Sequence, residues 1–271
     1  GKVRTGVREV LAGRGPLFLD STRMDESRLR EVLGFIHLDG PAFIQFIDQS
    51  GIDLRRDMIE LELFVSVWSA TGCPKGVLVD ERCETKVPGL YAIGDLATPS
   101  YSFAGAITTG YVAGVEAARA AAAAAASEPD PARVEAETQR VLAPLGRPAE
   151  IGWLEYELEL QETMARYMHI SRNRLGMLRG DAHLRRLEAD GKRVGARNAH
   201  DLMRTLEGED IVLFDRMMVA AALAREESRF NYLMGHYRSD HPKADDARWK
   251  GVANVVTWSE AGPMVARRAM N

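Results

Sequence analysis

The chain has 271 residues and a mass of 29.9 kDa, length enough for about two domains and a sizeable core. Its hydrophobic share of 46% and charged share of 27% are those of a globular protein and exclude disorder for the bulk of it. The formal net charge is −4, with no basic run and no apolar stretch of the roughly 18 residues a membrane span needs, so nucleic-acid binding and membrane crossing find no support.

Residues 1–60 read as mixed α/β. Gly15-Pro16 punctuates a turn, and Leu17-Phe18-Leu19 is a short buried strand. Asp20-Ser21-Thr22 offers cap residues ahead of a helix over Glu26–Leu33, and Ile44, Phe46, Ile47 and Ile52 form a second apolar segment. Residues 61–95 are β-rich: Phe64–Trp68 and Val77–Val79 are strand-like runs with β-branched content. Val87-Pro88-Gly89 signals a turn. The wholly apolar Leu90–Ile93 after it fits a strand buried on both faces, as in a parallel sheet.

Residues 105–126 predict one helix, with Gly110 and Gly114 on a face open to close packing and an alanine run, Ala120–Ala126, that is strongly helix-forming. A plain spacer helix explains the alanines equally well. Ser127-Glu128-Pro129-Asp130-Pro131 breaks the chain and marks a domain boundary. Residues 132–230 are helical throughout. Trp153, Tyr156, Leu160, Met164 and Tyr167 recur at helical spacing, and Met217, Met218, Ala221 and Leu223 make a second stripe; both read as core rather than a cofactor box. Residues 231–271 show no clear period.

The chemistry concentrates between Val87 and Ala113. Gly94-Asp95 stands at the carboxyl end of the Leu90–Ile93 run, where ligands bind in open α/β sheets. Glycine permits close backbone approach to a ligand, and an aspartate there accepts hydrogen bonds from sugar or ribitol hydroxyls. A helix begins near Ser102–Gly105, and its first amides, unpaired within the helix and carrying positive dipole character, suit negative charge on a reduced flavin. On its own, a Gly-Asp turn after a strand is usually just a turn.

The stretch VDERCETKVPGLYAIGDLATP resembles the flavin-proximal segment of the fumarate reductase/succinate dehydrogenase flavoprotein superfamily, VD-x-x-x-x-T-x-VPGLYA-x-G-[DE]. Three further matches follow the family's order. GRGPLFLD resembles a segment of the capping domain that closes over substrate, LQETMARYMHISRN the opening of the C-terminal helical domain, and AALAREESRFNYLMGHYRSDHPKADDARW its ESRG…HxRxDxP signature. The Ser-Phe-Ala-Gly form of the helix start looks closest to the adenylylsulfate reductase α-subunit branch.

The resemblance implies an FAD-dependent oxidoreductase. Asp95, beside Gly94, would hold the flavin ribitol, and Ser102, Phe103, Ala104 and Gly105 would present backbone amides near the pyrimidine edge. It implies a fold class of α/β plus all-α: an incomplete FAD-binding α/β domain with part of a capping domain, followed by a C-terminal helical domain. The boundaries are 1–62 for the end of the capping domain, 63–127 for the C-terminal part of the FAD-binding domain and 128–271 for the helical domain.

The family's ADP-binding G-x-G-x-x-G has no counterpart here, since Gly13-Arg14-Gly15 runs into Pro16. With Gly1 rather than Met at the start, the expectation is a C-terminal half, as a fragment, a processed or tag-cleaved chain, or a subunit of a split enzyme. Its partners would be an N-terminal half carrying that motif and an iron–sulfur or ferredoxin-like electron carrier. No signal-peptide pattern opens the chain, and its two cysteines, Cys73 and Cys83, exclude a disulfide scaffold and fit a reducing, cytoplasmic compartment.

Succinate and fumarate enzymes place a histidine before the VDE strand, where this chain has Thr71-Gly72-Cys73-Pro74-Lys75-Gly76. They also place an arginine after the Gly-Asp/Glu turn, yet no Lys or Arg occurs here from Val87 to Ala118. A dicarboxylate needs such fixed cations, so the substrate is expected not to be succinate or fumarate. Trp68, Tyr101 and Phe103 near the flavin would suit a less anionic one. Cys73 is either a redox thiol or, as free cysteines more often are, a buried structural one. No metal site is expected, and no catalytic residue is assigned. Arg229, His236, Arg238 and Asp240 read as a network docking the helical domain onto the flavin domain, with a substrate or electron-partner contact as the alternative. The rival to an enzyme is a non-catalytic helical docking or assembly module with a vestigial flavin motif.

Overall fold

In the computed structural model the chain divides into two units, Gly1–Leu63 and Phe64–Asn271. The structure describes residues 6, 9–61, 76–98, 102–125, 128–169, 171–230 and 235–270.

In the first unit, β1 (Leu17–Leu19) pairs antiparallel with β2 (Ile59–Leu61), Leu17 opposite Leu61. Helix α1 (Glu26–Asp39) starts where the Asp25 carboxylate accepts the Arg28 N–H at 2.8 Å. It runs past the predicted Leu33 because nothing breaks it before Gly40-Pro41. Pro41 opens α2 (Pro41–Ser50), and Gly51 closes it in the left-handed conformation at φ 65°. The two helices bury Leu29 and Ile47 with Leu54, and the buried Ser21 hydroxyl donates to the Leu54 carbonyl at 2.8 Å.

In the described part of the second unit, β3 (Val77–Leu78) runs parallel to β4 (Ala97–Thr98). A 3₁₀ turn over Gly94–Leu96 leads into β4, and α3 (Ser102–Ala123) follows. The strand expected at Phe64–Trp68 lies outside the described residues. The one expected at Leu90–Ile93 is not formed as a sheet strand. Tyr91 instead makes a single antiparallel bridge to Glu84, and Leu90 and Ile93 are exposed. The amides and carbonyls of this run are spent on the preceding loop: Thr85 N–H donates to Leu90 O at 2.8 Å and Ala92 N–H to Cys83 O at 3.0 Å.

Beyond the break, α4 (Pro131–Leu142) is capped by Asp130 and lies on the surface, with no buried residue. The main core belongs to α5 (Trp153–Tyr167), α6 (Arg174–Gly191) and α7 (Ala199–Ala224). Tyr156, Leu160 and Met164 are buried there as the stripe predicts, facing Met177, Leu184, Val212 and Val219. On α7 the fully buried face includes Val212, Asp215, Arg216, Val219 and Ala222, while Met218 and Leu223 of the predicted stripe are half-buried and pack against the same core. The buried charges Asp215 and Arg216 hide part of that face from a hydrophobicity pattern.

Short strands β5 (Ser171–Arg172), β6 (Arg229–Phe230) and β7 (Gly235–Arg238) form one small sheet in the order β5-β7-β6. A one-turn helix, α8 (Asp246–Trp249), precedes the hairpin of β8 (Val252–Ser259) and β9 (Gly262–Ala269), which packs on α7. Asn254 Nδ2 donates to Ala221 O at 2.8 Å, and the Arg216 guanidinium lies 5.0 Å from the Trp258 ring centre. Gly262 leaves room for that guanidinium, because a Cβ there would come within 2.9 Å of Arg216 Nη2.

Candidate functional site

The loop that delivers Gly94 is built by one aspartate. Asp80 Oδ1 accepts the N–H groups of Arg82 and Glu84, both at 2.9 Å, and Asp80 N–H donates to Glu84 O at 3.0 Å. Glu84 Oε1 then takes the Gly89 N–H at 2.7 Å, and the Leu90 N–H to Val87 O bond of 3.0 Å closes the Val-Pro-Gly turn. Cys83 is buried inside this loop, and desolvation, then Asp80, pushes its thiol up, which leaves it protonated at neutral pH.

The Gly94-Asp95 turn is held against two elements. Gly94 is buried at φ 62°, and a Cβ there would stand 3.5 Å from Ala106 Cβ, so the turn rests on the early part of α3. Its N–H donates to the Thr109 hydroxyl at 2.9 Å, and that hydroxyl donates to Gly105 O at 2.7 Å. On the other side, Gly76 lies so close to Leu96 that a Cβ would be 2.2 Å from the Leu96 carbonyl oxygen; only glycine fits, at φ 91°.

Of the predicted site residues, Gly94 is buried, Asp95 is exposed at the turn, and Ser102 opens α3. Phe103 and Ala104 are exposed and Gly105 half-buried in the first turn of that helix. Thr109 joins the Gly94 and Gly105 ends of the set. Sequence reasoning overlooked it, although a hydroxyl four residues after Gly105 in a helix is placed to bond back to that carbonyl. Trp68, Cys73 and Tyr101 lie outside the described residues.

The turn and the helix start form an open surface. A cavity of about 620 Å³ lies elsewhere, between α1 and α2, lined by Leu29, Leu33, Ile44, Ile47 and Ile52. Another, of about 840 Å³, lies beneath the β8–β9 turn against Arg185, Glu188 and Arg216.

The cluster after α7 is a buried hydrogen-bonded network. Arg238 is fully buried, pairs with Asp240, and donates through Nη1 to Ala222 O at 3.1 Å and Leu223 O at 3.2 Å. Asp240 also accepts the Arg174 N–H at 2.9 Å. Arg229 bonds Glu227 and Asp246, and His236 Nε2 meets Arg225 O at 2.9 Å. His236 Nδ1 also meets Arg172 Nη1 at 3.2 Å, so among the described residues the partners named here all lie within 172–246. These bonds lock the C-terminal end of α7 to the small sheet and to the start of α6. The reason is local: the orphan carbonyls of a long helix end need donors, and a buried guanidinium supplies several.

Residues 157–270 match the family model for the C-terminal region of fumarate reductase flavoproteins. An uncharacterized FAD-dependent oxidoreductase of Methanocaldococcus jannaschii is 25% identical over 267 residues, 92% of this chain and 44% of that protein. An L-aspartate oxidase of Caulobacter vibrioides is 32% identical over 254 residues, 92% of this chain and 40% of that protein. Among solved structures, E. coli quinol fumarate reductase and the adenylylsulfate reductase of Archaeoglobus fulgidus each superpose with a TM-score of 0.70. They do so at 22% and 21% identity, over 99% of this chain and 47% and 49% of theirs. The equal scores single out neither branch.

A glycine–aspartate turn seated on a long helix precedes the helical region that the family model matches. The family match and these similarities place residues 157–270 with the C-terminal region of fumarate reductase flavoproteins and support, for the chain, the fumarate reductase/succinate dehydrogenase superfamily of FAD-dependent flavoproteins. It spans less than half the length of the relatives named above.

Proposed function

We propose that this chain supplies the flavin-facing turn and the helical domain of an FAD-dependent oxidoreductase. The observation that carries the reading is the seating of the Gly94-Asp95 turn on α3, so close that a Cβ at Gly94 would stand 3.5 Å from Ala106 Cβ, and bonded to Thr109, beside the first turn of that helix. The residues fit the group. Gly94 keeps the turn low against the helix, Asp95 is exposed to accept ribitol hydroxyls, and Ser102, Phe103, Ala104 and Gly105 carry first-turn amides that have no partner within the helix. Those amides and the dipole behind them favour negative charge at the pyrimidine edge. When bound, FAD supplies the redox chemistry, and the protein positions it and tunes its electronics.

The chain offers no cation from Val87 to Ala118. This supports a substrate less anionic than a four-carbon dicarboxylate. The nucleotide grip would come from polypeptide bearing a G-x-G-x-x-G motif, as an N-terminal half or a separate subunit, and electrons would pass to or from an iron–sulfur or ferredoxin-like partner in the cytoplasm. Among the described residues no helix is long and apolar enough to cross a membrane.

The test is to produce the chain together with its nucleotide-binding polypeptide. A yellow complex with flavin absorbance and slow or absent fumarate reduction is expected. A stable but colourless complex would instead favour the docking module, and rapid fumarate turnover would remove the substrate reading.

A further inference from the structure

The structure assigns Thr109 as the positioning residue of the flavin site, a role that rests on the flavin reading above. Gly94 is buried, so its N–H needs a partner, and no backbone carbonyl among the described residues provides one. The Thr109 hydroxyl accepts that N–H at 2.9 Å and passes its own hydrogen to Gly105 O at 2.7 Å. One side chain thereby couples the turn bearing Asp95 to the first turn of α3. The two groups expected to meet opposite parts of the flavin, the Asp95 carboxylate and the Phe103–Gly105 amides, are held at a fixed spacing by this relay. The adjacent Thr108 is an internal control: its hydroxyl bonds back to Ala104 O at 2.9 Å and does not meet Gly94.

Thr109→Val keeps the shape and removes the relay, leaving a buried N–H unpaired. Thr109→Ser keeps the hydroxyl. The experiment measures FAD dissociation constant, flavin absorbance maxima and reduction potential in the complex with the nucleotide-binding polypeptide. Thr109→Val is expected to weaken FAD binding at least tenfold and to shift the absorbance bands and the potential. Thr109→Ser and Thr108→Val are expected to stay within about twofold of the parent in affinity, with unmoved bands. Parent-like FAD binding and spectra in Thr109→Val overturn the assignment, and so does an equal shift in Thr108→Val. Should Thr109→Val fail to accumulate, amide hydrogen exchange in the parent decides: Gly94 is expected to be protected, and free exchange at Gly94 overturns the relay. A parent complex that binds no FAD defeats the flavin reading itself, a result distinct from either of these.

Discussion

Arg238 grips Asp240 with two prongs, Nε to Oδ1 at 2.8 Å and Nη2 to Oδ2 at 2.7 Å, while its third nitrogen caps the last carbonyls of α7. The guanidinium holds the Asp240 carboxyl well below the usual carboxylate range. Arg238→Ala would strand a carboxylate and the Ala222 and Leu223 carbonyls together. The expected loss is about 3–5 kcal/mol of unfolding free energy, read from the urea midpoint. Arg238→Lys keeps the charge without the fork and should recover less than half of it. Lost flavin turnover at an unchanged urea midpoint would mean that Arg238 serves the reaction instead of the fold.

Two buried groups give opposed pH dependence. Desolvation alone raises the Asp215 carboxyl to about 7, against an unfolded value of about 3.9. Between those values the folded chain holds the proton more tightly, so this group's contribution to stability falls as pH rises from about 4 to about 7. His236 is held down to about 4 by burial and then by the Arg172 guanidinium, against about 6.5 unfolded. Its contribution falls as pH drops through that window. The two slopes, each at most about 1.4 kcal/mol per pH unit, offset one another in the parent. Asp215→Asn should therefore gain on the parent as pH rises, and His236→Gln should gain as pH falls. Denaturant titrations at pH 5 and pH 8 check both, and parallel curves for parent and variants would refute the pair.

Helix contacts decide the sign of two glycine-to-alanine changes that propensity alone treats alike. A Cβ at Gly180, inside α6, would lie 2.9 Å from Tyr167 Cβ, an atom fixed to the backbone of α5. The helices must separate, and Gly180→Ala should lower stability by about 1–3 kcal/mol despite the better helix former. A Cβ at Gly34, on α1, meets nothing within 4 Å. Gly34→Ala should raise the stability of the first unit by up to about 1 kcal/mol. Thermal melting of both variants checks the contrast.

These cases show where the sequence is legible. The α5 stripe announces itself because Tyr156, Leu160 and Met164 face one core with no charged residue buried in phase. The α7 face does so only in part, because Asp215 and Arg216 occupy two of its buried positions, and a periodicity argument discounts charge. The Gly-Asp turn and the helix start at Ser102 follow from local chemistry and resemblance. Thr109 does not, since its partner Gly94 lies 15 residues away and only the folded turn brings them together. Leu90–Ile93 reads as a strand by composition, but strand formation depends on neighbours, and the hydrogen bonds recorded for Leu90 and Ala92 run back to the 83–87 loop.

The outward face of α3 offers the sharpest check on the proposed nucleotide-binding partner. Phe103, Ile107 and Tyr111 follow one another at intervals of four and are 78%, 58% and 75% exposed, with Leu96 at 64% on the neighbouring turn. Three large apolar side chains in line on one helix are an exposed patch of the kind that marks an interaction surface. The proposed function gives it an occupant, the polypeptide that completes the flavin domain. Ile107→Lys changes a side chain that is mostly in water, so the melting temperature of the chain alone should move by less than about 2 °C. In the complex the same lysine would bury a charge without a partner, and association with the nucleotide-binding polypeptide should weaken at least a hundredfold, about 2.7 kcal/mol. Co-purification and calorimetric titration measure this directly. Undiminished association would show that the grip docks elsewhere and that the stripe serves another contact.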